Sequence, residues 1–103
     1  MKKSNFIKFG KSVIDLEIKA LKKLKKNLNN SFNLAVEEIV KCKSKIILCG
    51  VGKSGLIANK IASTLSSVGT ASFYLSANDS SHGDLGSISK KDILILISNS
   101  GET

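Results

Sequence analysis

The sequence has no proline and no arginine, only two cysteines and one histidine, and its longest strictly apolar run is the five residues Ile93 to Ile97. Each shortage excludes a class of protein. Without proline or a glycine-every-third pattern the chain is not collagen-like, and two cysteines are too few for a disulfide scaffold. A five-residue apolar run falls far short of the roughly 20 residues a helix needs to cross a bilayer. The basic start Met1-Lys2-Lys3 is followed by Lys8, Lys11, Asp15, Glu17 and Lys19, which interrupt any apolar core of a signal peptide, so a cytoplasmic protein is expected. Cys42 and Cys49 have neither CxxC nor Cys/His spacing; they read as buried reduced thiols, and no metal site is expected.

The absence of arginine bears on the net charge of +8. All 16 basic residues are lysine, and 12 of them precede residue 46, against four acids there. A basic helical stretch raises the possibility of nucleic acid. Arginine is the bidentate reader of guanine and phosphate, however, and no aromatic residues are interleaved for base stacking, so the lysines read as a solvated face. No nucleic-acid or membrane partner is expected.

What is present is a globular pattern: 42% hydrophobic and 23% charged residues in 103 positions, enough for one domain at most. Phe6, Phe9, Val13, Leu16, Ala20 and Leu24 step by three or four, predicting a long amphipathic helix that ends at Asn29-Asn30. Asn30 or Ser31 is expected to cap a second helix carrying Phe32, Val36, Ile39 and Val40, with Lys41, Lys43 and Lys45 at its carboxyl end. The two are expected to form an antiparallel hairpin over residues 1–45. The period then changes. Ile46 to Cys49 reads as a strand stopped by Gly50, Leu56 to Val68 as a helix, Ala71 to Leu75 as a second strand, and Ile93 to Ile97 as a third. Continuous apolar strands predict burial on both faces in a parallel sheet of α/β class.

Three loops carry the chemistry. Gly50-Val51-Gly52-Lys53-Ser54-Gly55 follows a strand and opens a helix. It is too short for a Walker A loop, because the required earlier glycine position holds Ile47. A dinucleotide site would want an acid at the end of the second strand, which instead ends at Leu75-Ser76. An anion loop at a helix N-terminus, with Lys53 as cation, fits as it stands, and a plain tight turn is the bland alternative. Ser98-Asn99-Ser100-Gly101-Glu102-Thr103 follows the third strand and offers hydroxyls and backbone amides for a phosphate. Ser80 to Gly86 holds the single histidine, His82. Lys53, His82 and Glu102 near a phosphate cradle suit proton transfer on a sugar phosphate.

In these loops the sequence resembles the sugar isomerase (SIS) domain of arabinose 5-phosphate isomerases, through GVGKSG, SSHGDLG and SNSGET in that order, and the preceding helices resemble that family's N-terminal hairpin. The resemblance implies a helical hairpin at 1–45, followed at 46–103 by the first half of a SIS-type parallel-sheet sandwich. It implies interconversion of ribulose 5-phosphate and arabinose 5-phosphate, feeding synthesis of the lipopolysaccharide sugar Kdo, without organic cofactor or catalytic metal and in a homo-oligomer, a tetramer. Gly52, Ser54, Ser98, Ser100 and Thr103 would then bind the substrate, Glu102 would move the proton between C1 and C2, and Lys53 and His82 would assist ring opening and enediolate stabilisation. The family's domain continues through further strands and helices that supply another active-site histidine. A non-catalytic phosphosugar-binding SIS module and a nucleotide-binding α/β fragment are the alternatives.

Overall fold

The computed structural model describes residues 4–76 and 88–101. Three helices, α1 (Ser4–Asn27), α2 (Asn30–Lys41) and α3 (Lys53–Ser67), accompany three strands, β1 (Ile46–Gly50), β2 (Ser72–Ser76) and β3 (Ile93–Ile97). The chain divides into two compact units, Met1–Ala35 and Val36–Thr103.

In the first unit, α1 stops at Asn27, two residues before the expected end, and Asn29 rather than Asn30 or Ser31 caps α2. The Asn29 side-chain oxygen accepts the Ser31 amide at 2.9 Å, and its carbonyl accepts the Phe32 amide at 3.0 Å. An asparagine oxygen satisfies the first free amides of a helix in this way, and the backbone turn at 28–29 moves it one place earlier than the apolar period suggested.

The second unit is built on a parallel sheet of order β2-β1-β3. β1 lies in the middle, paired Ile46 to Ser72 through Gly50 to Ser76 on one side and Ile46 to Ile93 through Gly50 to Ile97 on the other. Helix α3 packs Ala58 and Ala62 against Ile46 and Leu48, with Leu65, Tyr74, Ile93, Ile95 and Ile97 around them. Small alanines bring the helix close to the sheet, and the side chains of Ile46 and Leu48 are fully enclosed. The helix ends at Ser67, and beyond the capping Val68 the chain turns away at Gly69, whose φ of 97° is in the left-handed region and whose amide donates to the Ser66 carbonyl.

Three expectations do not hold. Helix α3 begins at Lys53, three residues before Leu56, because the glycine loop turns into the helix without an intervening polar segment. Strand β2 runs one residue later than expected, from Ser72, since Ala71 ends the turn and gives its carbonyl to the Ile46 amide. Burial on both faces holds only for β1. On β3 it alternates, with Leu94 45% and Leu96 69% exposed, and on β2 Phe73 is also exposed. The reason is position: β3 and β2 flank the central strand, and α3 covers one side of the sheet, so the side bearing Phe73, Leu94 and Leu96 has no helix over it among the described residues.

An acidic clasp ties the entry ends of β1 and β3. The Asp92 carboxylate, with no solvent-accessible side-chain surface, accepts hydrogen bonds from the Ser44 hydroxyl and from the Ser89 amide at 2.7 Å, and pairs with the Lys45 ammonium at 2.7 Å. The Lys45 ammonium, the Ser44 hydroxyl and the Ser89 amide hold its pKa well below the usual carboxylate range. Beside it the half-buried Cys42 thiol donates to the Lys91 carbonyl; Cys42 and the buried Cys49 are both free.

Candidate functional site

The chain order β1, α3, β2 moves outward from the central strand, and the passage from β2 to β3 then crosses to its other side. That reversal puts a topological switch point between β1 and β3, and open α/β sheets bind ligands in the crevice beyond the carboxyl ends of the two strands that flank it. Gly50 and Ile97 are register partners, so the glycine loop and the serine loop leave neighbouring strands side by side, about 5 Å apart in backbone.

On the β1 side each glycine of the GxGxxG loop has its own reason. A Cβ on Gly50 would lie 2.7 Å from the Ser54 carbonyl carbon and oxygen, and one on Gly55 would lie 2.9 Å from the Gly50 carbonyl oxygen and 2.8 Å from the Tyr74 hydroxyl. These two glycines let the first turn of α3 lie directly on the end of β1. Gly52 is different: its φ of 60° and ψ of −128° suit glycine alone, while a Cβ there would meet nothing within 4 Å. Among the described residues the space that a side chain there would enter is open.

Among the described residues the positive end of the helix that follows has no side-chain cap and no acid in its first turn. Backbone pairing starts with the Gly55 amide on Val51 and the Leu56 amide on Gly52, at 3.4 and 3.2 Å, so the amides of Lys53 and Ser54 lie ahead of it as helix-end donors. Lys53 is exposed and Ser54 half-buried.

On the β3 side, Ser98 to Gly101 form a tight turn in which the Ser98 hydroxyl oxygen accepts the Gly101 amide at 2.9 Å, with Gly101 at φ 79°. Ser98 and Ser100 are both exposed there. The fold thus gathers Gly52, Lys53, Ser54, Ser98 and Ser100 at one edge. His82, Glu102 and Thr103 lie outside the described residues. Sequence reasoning did not single out Gly50 and Gly55 as close-approach positions, nor Tyr74 as the residue whose hydroxyl lies against Gly55. The two glycines were visible in the GxGxxG spacing, whereas the Tyr74 contact depends on the β1–β2 register and carried no sequence signal.

A parallel α/β sheet with a glycine-turned helix N-terminus and a serine-rich turn at its switch point defines the class: an α/β domain with an anion-suited carboxyl edge. The chain belongs to the SIS domain family, whose pattern matches residues 38–103. It is 42% identical over 99 residues to the arabinose 5-phosphate isomerase KdsD of Escherichia coli strain K12, a match covering 96% of this chain and 30% of that protein. It is 46% identical over 100 residues to the uncharacterized protein RP505 of Rickettsia prowazekii, covering 97% and 31% respectively. Among solved structures, the E. coli CFT073 protein c3406 in complex with arabinose 5-phosphate superposes with a TM-score of 0.91 at 40% identity, over all of this chain and 55% of that one. The chain therefore spans about a third of the length of the curated relatives it matches. No described helix is long and apolar enough to cross a membrane.

Proposed function

We propose that this chain forms the substrate-binding edge of a sugar-phosphate aldose-ketose isomerase acting on ribulose 5-phosphate and arabinose 5-phosphate, and so serving Kdo synthesis. The observation that carries the reading is the meeting of the glycine and serine loops at the β1/β3 switch point in a chain 42% identical to an arabinose 5-phosphate isomerase. In this reading residues 46–103 are the ligand-binding part and residues 1–45 a helical hairpin that serves a homo-oligomer.

The phosphate dianion is held by the hydroxyls of Ser54, Ser98, Ser100 and Thr103 and by the amides after Gly52, where the helix dipole adds to each hydrogen bond. Arabinose 5-phosphate closes to a furanose, and Lys53 and His82 assist its opening, His82 by passing a proton to the ring oxygen; ribulose 5-phosphate, whose O5 carries the phosphate, is already open-chain. In the ketose-to-aldose direction Glu102 removes a proton from C1 of the ketose. The C1–H electron pair forms the C1–C2 double bond, and the C2 carbonyl pair moves onto oxygen, giving an enediolate beside the Lys53 ammonium. Return of the proton to C2, with transfer of the hydroxyl proton from O1 to O2, yields the aldose.

The test uses the full-length protein. Glu102→Gln is expected to retain arabinose 5-phosphate binding by calorimetry and to lose isomerisation by at least about 100-fold. Solvent exchange of the C2 proton at the normal rate in that variant removes Glu102 from the role. Ser98→Ala with Ser100→Ala is expected to weaken binding, and unchanged affinity refutes the phosphate assignment. Wild-type binding without turnover would describe a phosphosugar-binding module instead.

A further inference from the structure

The first turn of α3 is loosely tied by its own chain. Its opening backbone bonds, from the Gly55 amide to Val51 and from the Leu56 amide to Gly52, are 3.4 and 3.2 Å long, against about 2.9–3.0 Å for a well-formed bond of this kind. Gly52 supplies no side-chain cap, and the alanines that seat the helix on the sheet, Ala58 and Ala62, sit in the following turns. The placement of residues 53–55 is therefore set by what the turn rests on. Gly55 is buried, and the point where its Cβ would lie is 2.9 Å from the Gly50 carbonyl oxygen and 2.8 Å from the Tyr74 hydroxyl oxygen.

The Gly50 carbonyl belongs to the glycine loop itself, whereas Tyr74 reaches the turn from the neighbouring strand. It is the register partner of Leu48, and it packs half-buried against the cluster of Ile46, Leu48, Ala58 and Ala62. A tyrosine has only two side-chain torsions to fix, so a hydroxyl carried on a packed ring is a rigid prop. We propose that Tyr74 is a positioning residue for the anion cradle: its hydroxyl, seated against Gly55, sets the height of the first turn of α3 over the sheet and so the aim of the Lys53 and Ser54 amides at the β1/β3 edge. The proposal rests on the reading that this edge holds the phosphate of a sugar phosphate. Hydrogen bonds to an anion depend steeply on distance and angle, so a turn that sinks or tilts by a few tenths of an ångström weakens two charge-assisted bonds at once while the fold stays as it is. Phosphate binding suffers, and proton transfer at C1 and C2, carried out by other groups, does not.

The test uses the full-length protein, at a temperature where each variant is folded by circular dichroism. Tyr74→Phe keeps the ring and removes only the oxygen that touches Gly55; Tyr74→Leu removes the prop altogether. KM for arabinose 5-phosphate is expected to rise about threefold in the first and about tenfold in the second, with kcat within about twofold of wild type, the pattern of lost ground-state binding. The inhibition constant of inorganic phosphate, which fills the phosphate position alone, is expected to rise by the same factors. A residue that only fills the core would lower the melting temperature and leave both constants where they are. Should Tyr74→Leu fail to fold, Tyr74→Phe decides. Wild-type values of both constants in folded Tyr74→Phe, or a rise in KM without a matching rise for inorganic phosphate, overturn the proposal and leave the phosphosugar reading standing. A wild-type protein that binds neither arabinose 5-phosphate nor inorganic phosphate overturns that reading and the proposal with it.

Discussion

Replacing Gly50 by alanine tests how the site is held. The added Cβ would sit 2.7 Å from the carbonyl carbon and oxygen of Ser54 and 2.9 Å from the Gly55 amide nitrogen, where ordinary contact begins at 3.4 Å. All three obstacles are backbone, so no side chain can swing aside. Relief requires the first turn of α3 to back away from β1 by several tenths of an ångström, and α3 is the helix that seats Ala58 and Ala62 on Ile46 and Leu48. A gap of 0.5–1 Å at such contacts forfeits about a quarter to a half of their dispersion energy. Overpacking of this kind costs about 1–3 kcal/mol, and the backbone identity of the clash places Gly50→Ala toward the upper end. In a domain this size that lowers the melting temperature by about 4–8 °C per kcal/mol. Gly10→Ala is the internal control: Gly10 lies on exposed α1 with nothing within 4 Å of a Cβ, so the same substitution there is expected to be neutral or to stabilise by up to about 1 kcal/mol. Urea unfolding followed by far-ultraviolet circular dichroism measures both, with an unchanged slope showing that the same cooperative unit is read. A Gly50→Ala protein as stable as wild type would refute the close-approach reasoning.

Two further outcomes are expected. Asp92 has a folded-state pKa lowered by Lys45, Ser44 and Ser89, so its contribution is fully present above the unfolded value of about 4 and is lost as pH falls below it. Wild type should therefore exceed Asp92→Asn in stability at pH 7 by a margin that shrinks between pH 4 and pH 2, and a pH-independent difference in urea midpoints rejects the ionised clasp. Leu48→Ala empties a fully enclosed position under α3 and is expected to cost about 2–5 kcal/mol, far more than Leu96→Ala on the open side of the sheet; similar losses in thermal melts would contradict the assigned core.

Much of this protein is determined by the sequence alone, because the signals are local. The change from helical to strand period at Ile46, the apolar run Ile93 to Ile97 and the GxGxxG spacing depend on a residue and its near neighbours, and they locate α1, β1, β3 and the glycine turn to within a few residues. The serine loop after β3 is likewise readable as an anion-suited turn. Which strand lies in the centre is not local. Ile46 to Cys49 and Ile93 to Ile97 look alike as apolar runs, yet one is buried throughout and the other alternates, since among the described residues only β1 has a strand on both sides. The same strand order makes the β1 and β3 loops neighbours, gives Gly50 and Gly55 their close approach, lays the Tyr74 hydroxyl against Gly55, and joins Asp92 to Ser44 and Lys45 across nearly 50 residues of chain. Contacts between residues far apart in sequence have no periodicity to announce them; the tertiary structure alone decides them, and with them the edge of the sheet at which a ligand can be held.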